Sequence, residues 1–279
     1  MDSSPSPDIN IPEQWLEATE SIANSSMPPI TLICGAKNCA KTTFSRYLLN
    51  VLLNKYTKVA YLDTDVGQPE FTPPAFLSLT IVHKVTSVKI SISSEKKNLP
   101  AGEFWSDGEH DETINLIEIN SAHQDSLTRS VLVQIDARLL RDLRILTYFK
   151  QCFSSDSNIS TIKELAHALA SHCPYEVPIA SIKIQHLHCE VPSSEIFYSL
   201  NATVVGLAVD SHGPENLPWC LGLGIVRGID TVKGVLYVIT PVPHSSLERV
   251  NLLLQGYIQI PSCLLQARNF LHSFTFSLT

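Results

Sequence analysis

Ile30-Thr31-Leu32-Ile33-Cys34-Gly35-Ala36-Lys37-Asn38-Cys39-Ala40-Lys41-Thr42 is the stretch on which the reading of the chain turns. Its first five residues form an apolar, β-branched run with the length of a buried strand. The run meets Gly35, and from Lys41 to about Asn54 apolar residues recur at helical spacing (Phe44, Tyr47, Leu48, Val51, Leu52). Strand, tight turn and helix are the context of a phosphate-binding loop. The backbone N–H groups of Gly35, Ala36, Lys37, Asn38, Cys39, Ala40, Lys41, Thr42 and Thr43, with the positive end of the helix, would surround a phosphate chain. Lys41 would reach the β and γ phosphates and the Thr42 hydroxyl would ligate Mg²⁺. Ala40 stands where the pattern G-x-x-x-x-G-K-[ST] has its second glycine, and a methyl there crowds the phosphate or shifts the turn. The plain alternative is a surface lysine after a chance turn, and a second motif downstream weighs against it.

That motif is Lys58-Val59-Ala60-Tyr61-Leu62-Asp63-Thr64-Asp65-Val66-Gly67-Gln68-Pro69. A short apolar strand ends in two carboxylates, a glycine and a glutamine. Ligands of open α/β sheets sit beyond the carboxyl ends of the strands, so both motifs would face one crevice. A carboxylate there holds Mg²⁺ or accepts a proton from an attacking hydroxyl, and a glutamine orients the reacting groups. The competing account is a helix-capping Asp after a strand.

Together the motifs resemble the polynucleotide 5′-hydroxyl kinases of RNA processing, and among them the nucleolar branch that acts on pre-rRNA. That pattern is a G-x-x-N-x-G-K-[ST] loop followed by L-D-x-D-x-G-Q-x-E. Gly35, Asn38, Lys41, Thr42, Leu62, Asp63, Asp65, Gly67, Gln68 and Glu70 match it. The resemblance implies an ATP- and Mg²⁺-dependent kinase of RNA 5′-hydroxyl ends. Asp65 would be the base, Thr42 with Asp63 or Asp65 would hold the metal, and Gln68 would orient the reacting groups. It also implies nucleolar processing partners and a nuclear, nucleolar location.

Composition bounds the rest. At 279 residues, 44% hydrophobic and 17% charged, the chain can bury a substantial core. A net charge of −7 argues against coating nucleic acid by bulk charge, so RNA contact would need a local basic patch. Seven irregularly spaced cysteines, with no secretory signal, suggest free thiols in a reducing compartment. No apolar stretch has the roughly 18 to 20 residues of a membrane span, so a soluble intracellular protein without a membrane partner is expected.

Along the chain, residues 1 to 28 read as a flexible leader with a short helix around Trp15 to Ile22. Residues 29 to 175 read as the kinase domain: α/β, with a mostly parallel sheet and flanking helices. Strands are expected over Phe76 to Val82 and Val85 to Ile92, with no helical crossover before Val88. A parallel connection needs a dozen or more residues, so this part of the fold is expected to be shortened after about residue 74. Residues 101 to 130 read as a solvated acidic loop around a strand candidate at Ile114 to Ile119.

Asp136 to Phe149 reads as an amphipathic helix with Arg138, Arg141 and Arg144 on one face and Leu139, Leu143, Leu146 and Phe149 on another. The charged face is an ordinary solvated surface or a lid that closes over the triphosphate. The resemblance of R-D-L-R to the family's lid makes Arg141 and Arg144 candidate catalytic residues. Thr161 and Glu164 have the spacing of a capping box.

From residue 176 short strands separated by Gly, Pro and Asn predict a β-rich domain to residue 279. The strands are expected over Ser181–His188, Ala202–Val209, Leu221–Val226, Val235–Thr240 and Tyr257–Ile260. His186, His188 and Cys189 read as structural residues. Three readings therefore stand: the kinase, a catalytically impaired nucleotide- or RNA-binding form, and a P-loop ATPase of another type.

Overall fold

The computed structural model describes residues 11–36, 39–85, 116–119, 137–154, 157–210 and 217–265. The chain divides into two compact units, Met1–Thr72 with Phe76–Gln134 and Pro73–Ala75 with Ile135–Thr279.

In the first unit, helix α1 (Glu13–Ala23) packs against helix α2 (Lys41–Lys55). Trp15, Ala18 and Ala23 of α1 join Phe44, Leu48 and Leu52 of α2 in one apolar cluster. Trp15 meets Phe44 edge to face at 5.2 Å, and Lys55 Nζ donates to the Ala23 carbonyl. The Thr19 hydroxyl, buried in the same face, donates to the Trp15 carbonyl at 2.8 Å. The expected leader therefore contains a packed helix, because Trp15 is 2% exposed and cannot leave its place cheaply.

Strand β1 (Val59–Asp63) pairs antiparallel with β2 (Ser78–Val82), from Val59↔Val82 to Asp63↔Ser78. Residues 30–34, expected as a strand beside β1, form none, and Ile30 and Leu32 are exposed. The expected mostly parallel sheet is thus absent among the described residues, while the α/β class stands. Its physical reason lies in the connection: the turn-rich stretch from Thr64 to Leu77 carries no helix to return the chain in parallel, so β2 doubles back on β1. The expected strand over 85 to 92 lies beyond residue 85 outside the described residues, as does most of the acidic stretch. Residues 116–119 of the strand candidate Ile114 to Ile119 are described and are not a strand.

The second unit holds α3 (Ala137–Lys150), α4 (Ile162–Ser171) and a six-stranded sheet. The sheet comprises β3 (Tyr175–Pro178), β4 (Lys183–His186), β5 (Thr203–Val209), β6 (Trp219–Asp230), β7 (Val235–Ile239) and β8 (Leu252–Gln255). Their order is β3-β7-β6-β5-β8-β4, antiparallel except for β4 with β8. Among the described residues it also carries the short α-helices α5 (Ile196–Leu200), α6 (His244–Leu247) and α7 (Ser262–Leu265). Leu200, Val205, Leu207, Val226, Leu236, Val238 and Leu253 form the core.

Two strands differ from the sequence expectation. β3 falls in a proline-bounded stretch, and Pro178 is tolerated there because β3 is an edge strand. β8 replaces the strand expected at Tyr257–Ile260; Tyr257 is 82% exposed. Helices α3 and α4, grouped by sequence with the kinase portion, fall within the second compact unit.

On α3 the buried residues are Ile145, Leu146, Tyr148 and Phe149, whereas Leu139 and Leu143 are exposed. The apolar face therefore differs from the one read from the sequence. Tyr148 fixes it: its hydroxyl accepts the Leu223 N–H at 2.8 Å, deep against β6.

Candidate functional site

The candidate site begins where the glycine-rich turn enters α2. Gly35 has φ 152°, a conformation that strains any L side chain, and an added Cβ would lie 3.1 Å from Cys39 Sγ, a tight approach. Ala40 is the residue before α2 and adopts φ 63°, ψ 21°. This left-handed geometry costs an L-residue about 1 kcal/mol and glycine nothing comparable. The alanine in the glycine's place thus keeps the turn at a conformational cost, and its methyl packs toward the Trp15–Phe44 cluster. Lys37 and Asn38 lie outside the described residues.

Lys41 opens α2, and its ammonium turns back to donate to the Ala36 carbonyl at 2.6 Å. Cys39 donates to the same carbonyl at 2.8 Å, with Lys41 Nζ 3.8 Å from the sulfur. Thr42 and Thr43 are exposed at the helix start. A cleft of about 250 Å³ lies at the turn, with Gly35, Ala36, Lys41, Trp15, Ile33 and Phe44 among its lining residues.

The second part of the site is the loop after β1. Asp63, 7% exposed, accepts the Asp65 N–H through Oδ1 at 3.0 Å and the Glu70 N–H through Oδ2 at 2.5 Å. Asp65 is exposed; its Oδ1 accepts the N–H groups of Gly67 at 3.1 Å and Gln68 at 3.0 Å. The two carboxylates, open alternatives for base and metal ligand in the sequence, therefore differ in setting. Asp63 clasps the loop with both oxygens, while Asp65 commits only Oδ1 and faces solvent. The order of the loop comes from carboxylates replacing water around backbone donors.

Helix and loop are tied side by side. Ser45 Oγ and the Tyr61 hydroxyl are 2.9 Å apart, and burial raises the Tyr61 pKa, keeping it a neutral hydroxyl. Arg46 pairs with Glu70: Nη2 donates to Oε2 at 2.6 Å, and Nε lies 2.6 Å from Oε1 without hydrogen-bond geometry. Arg46 escaped the sequence reading: one arginine on an amphipathic helix carries no signal by itself, and only the paired Glu70 of the second motif hinted at a partner.

Arg141 is exposed on α3 and Arg144 half-buried. Nη1 of Arg144 is shut off from solvent and has no hydrogen-bond partner among the described residues. Both arginines belong to the second compact unit, and Lys41, Thr42, Asp63, Asp65 and Gln68 to the first. His186 Nε2 lies 2.8 Å from Ser199 Oγ, and the His188 ring stacks on Tyr257 at 4.2 Å. Among the described residues no group of three or more His, Cys, Asp or Glu is placed to hold a metal, so an ion here would rest on fewer side chains, substrate oxygens and water. No helix of the described chain is long and apolar enough to cross a membrane.

Comparison with known proteins matches both parts. Residues 35–118 fit the family model described as mRNA cleavage and polyadenylation factor CLP1 P-loop. Residues 170–261 fit the one described as NOL9-like, C-terminal domain. The polynucleotide 5′-hydroxyl-kinase NOL9 of Arabidopsis thaliana is 47% identical over 346 residues, covering 93% of this chain and 94% of that protein. The protein of the same name from Danio rerio is 30% identical over 85% of this chain and 47% of its own length. The one from Homo sapiens is 26% identical over 93% and 54%. The chain thus spans nearly all of the plant relative and about half of the animal ones. The plant match, 346 residues, is longer than the 279 residues of this chain, so that relative carries residues within the match that have no counterpart here.

Proposed function

The chain belongs to the NOL9 family of polynucleotide 5′-hydroxyl-kinases, and on that premise we propose that it transfers the γ-phosphoryl group of ATP to the 5′-hydroxyl end of an RNA. The observation that carries the reading is the tying of the loop Asp65–Gln68 to the helix whose first residues are Lys41 and Thr42. Two groups that a phosphoryl transfer must hold in register are thereby anchored to one another.

In this reaction the loop amides and Lys41 hold the triphosphate, the Lys41 ammonium leaving the Ala36 carbonyl for phosphate oxygens. Asp65 accepts the proton of the attacking 5′-hydroxyl, since it is the exposed carboxylate of the pair. Gln68 orients the nucleophile. Thr42 and Asp65 supply hard oxygen donors that would suit Mg²⁺, which would offset charge on the phosphate oxygens. Asp63, with both oxygens on backbone amides, supports that set rather than leading it. Arg141 and Arg144 are the proposed lid arginines, stabilising charge on the transferring group. Residues 29 to 175 are the proposed kinase domain, and the start of the C-terminal family match at residue 170 supports a boundary near 175. Pre-rRNA is the proposed substrate, with nucleolar processing proteins as partners and the nucleolus as the site of action.

Two observations favour a second reading, a form that binds nucleotide or RNA without turnover. The plant relative's extra residues within the match have no counterpart here, and residues 30–34 have no strand partner among the described residues. Transfer of labelled γ-phosphate from ATP to a 5′-hydroxyl RNA oligonucleotide separates the two. The kinase reading expects labelled RNA that vanishes with Lys41→Ala. Folded protein that binds ATP and labels no RNA would sink it in favour of the binding form.

A further inference from the structure

Glu70 is held twice. Its N–H is fixed on the buried Asp63 carboxylate, and its own carboxylate, 10% exposed, accepts a hydrogen bond from Nη2 of Arg46, 32% exposed, within a close ion pair. Arg46 lies five residues beyond Lys41 on α2, and Glu70 two residues beyond Gln68. One end of the pair therefore rides on the helix that presents Lys41 and Thr42, and the other closes the loop that presents Asp65 and Gln68.

A half-buried guanidinium–carboxylate contact differs from an ordinary surface pair, which holds two mobile side chains in water and contributes little. The hydrogen bond from Nη2 to Oε2 at 2.6 Å, with Nε 2.6 Å from Oε1 in the same ion pair, holds the distance between helix and loop. A lysine supplies charge on a flexible stem without the planar guanidinium. The neighbouring Ser45–Tyr61 contact, one residue earlier on α2, joins helix to strand and does not reach the loop 65–68.

We propose that Arg46 and Glu70 are positioning residues of the transfer reaction. Neither touches substrate; together they hold the loop 65–68 in register with the first turn of α2. The proposal rests on the reading of these two segments as the kinase site. Misplacing a reacting group by about 1 Å costs on the order of a hundredfold in rate, so a contact of this kind acts on turnover more than on nucleotide affinity.

The test uses the full chain with R46K, R46E, E70R and the swapped pair R46E/E70R. Steady-state transfer to a 5′-hydroxyl RNA oligonucleotide, titration of a fluorescent ATP analogue, melting temperature and amide exchange over residues 65–70 are read for each. In R46E and E70R, kcat is expected to fall roughly tenfold to a hundredfold, with nucleotide affinity within about twofold. Exchange at residues 65–70 rises while that of α2 does not. The swapped pair recovers protection of the loop and much of kcat, and R46K falls between. Unchanged exchange at 65–70 in both single reversals overturns the proposal, as does a loss of kcat matched by an equal loss of folded protein. A wild-type chain that transfers no phosphate sinks the kinase reading alone. Exchange then decides the pair by itself: loosening on reversal and restoration on swapping support it, and anything else overturns it.

Discussion

Asp63 closes the candidate catalytic loop onto Glu70: its buried Oδ2 accepts the Glu70 N–H at 2.5 Å while Oδ1 takes that of Asp65 at 3.0 Å. One carboxylate thereby replaces water for two backbone donors at the start and end of the turn. Hydrogen bonds to an ionised group contribute roughly 1.5 to 3 kcal/mol each, and buried donors left unpaired are costly. Asp63→Ala is expected to destabilise the first unit by about 3 kcal/mol, and Asp63→Asn by less, since one acceptor oxygen remains. Asp65→Ala removes two hydrogen bonds whose exposed N–H donors water can take up, so it should destabilise less than Asp63→Ala while abolishing phosphoryl transfer. Urea denaturation beside the transfer assay separates the two aspartates. Turnover surviving in Asp65→Ala would remove it as the base.

Ala40 invites the opposite experiment. At φ 63° the alanine stores conformational strain that a glycine would not. Ala40→Gly is expected to raise stability by up to about 1 kcal/mol, the gain being trimmed by the greater freedom of glycine in the unfolded chain. The loop geometry is already that of the glycine, so nucleotide affinity should not fall. A lower denaturation midpoint for Ala40→Gly would mean that the methyl's packing against the Trp15–Phe44 cluster outweighs the strain.

In the second unit Gly222 makes room for Tyr148. A Cβ at Gly222 would stand 2.4 Å from the Tyr148 hydroxyl oxygen and 2.5 Å from a Val242 methyl carbon. The hydroxyl is held by the Leu223 N–H, and Val242 is buried in the core. Gly222→Ala should therefore cost about 2 to 3 kcal/mol by overpacking. Tyr148→Phe should cost about 1 to 3 kcal/mol by leaving the Leu223 N–H unpaired. If the clash is what matters, Tyr148→Phe with Gly222→Ala should be less damaging than the sum of the two, which thermal melts of the four proteins would reveal.

The spacing of the two motifs was more legible in the sequence than the architecture. Lys41 and Thr42 open α2, and Asp65 and Gln68 share one loop held by backbone donors, and such local spacing survives in one dimension. The antiparallel return of β2 was not legible, because pairing direction depends on what the Thr64–Leu77 connection omits rather than on β1 itself. β8 hid for a related reason: Leu252-Leu253-Leu254 has no alternation, since an inner strand is covered on both faces. The buried face of α3 misled because Leu139 and Leu143 share the helical period with Leu146, and only the seat of Tyr148 on β6 decides which stripe is covered. Arg46 became visible only when its partner was placed beside it.

The start of α4 supplies a pH-dependent test. Glu164 accepts the N–H groups of Ser160 at 2.8 Å and Thr161 at 2.9 Å, and Thr161 Oγ1 accepts the Glu164 N–H at 3.2 Å, closing the capping box foreseen from the spacing. These donors favour the ionised carboxylate and lower its pKa from 4.5 to about 2, the Ser160 N–H contributing most. A folded value below the unfolded one places the stabilisation above the unfolded pKa and removes it as pH falls through the folded one. The contribution is therefore complete above about pH 5 and fades between about 4.5 and 2. Glu164 is fully exposed, so salt should weaken it. Glu164→Gln keeps an acceptor but no charge. Its stability deficit relative to the wild type should be present at neutral pH, shrink steadily below pH 4.5 and be smaller in high salt. A deficit independent of pH would assign the cap's contribution to shape and hydrogen bonding, and not to the charge.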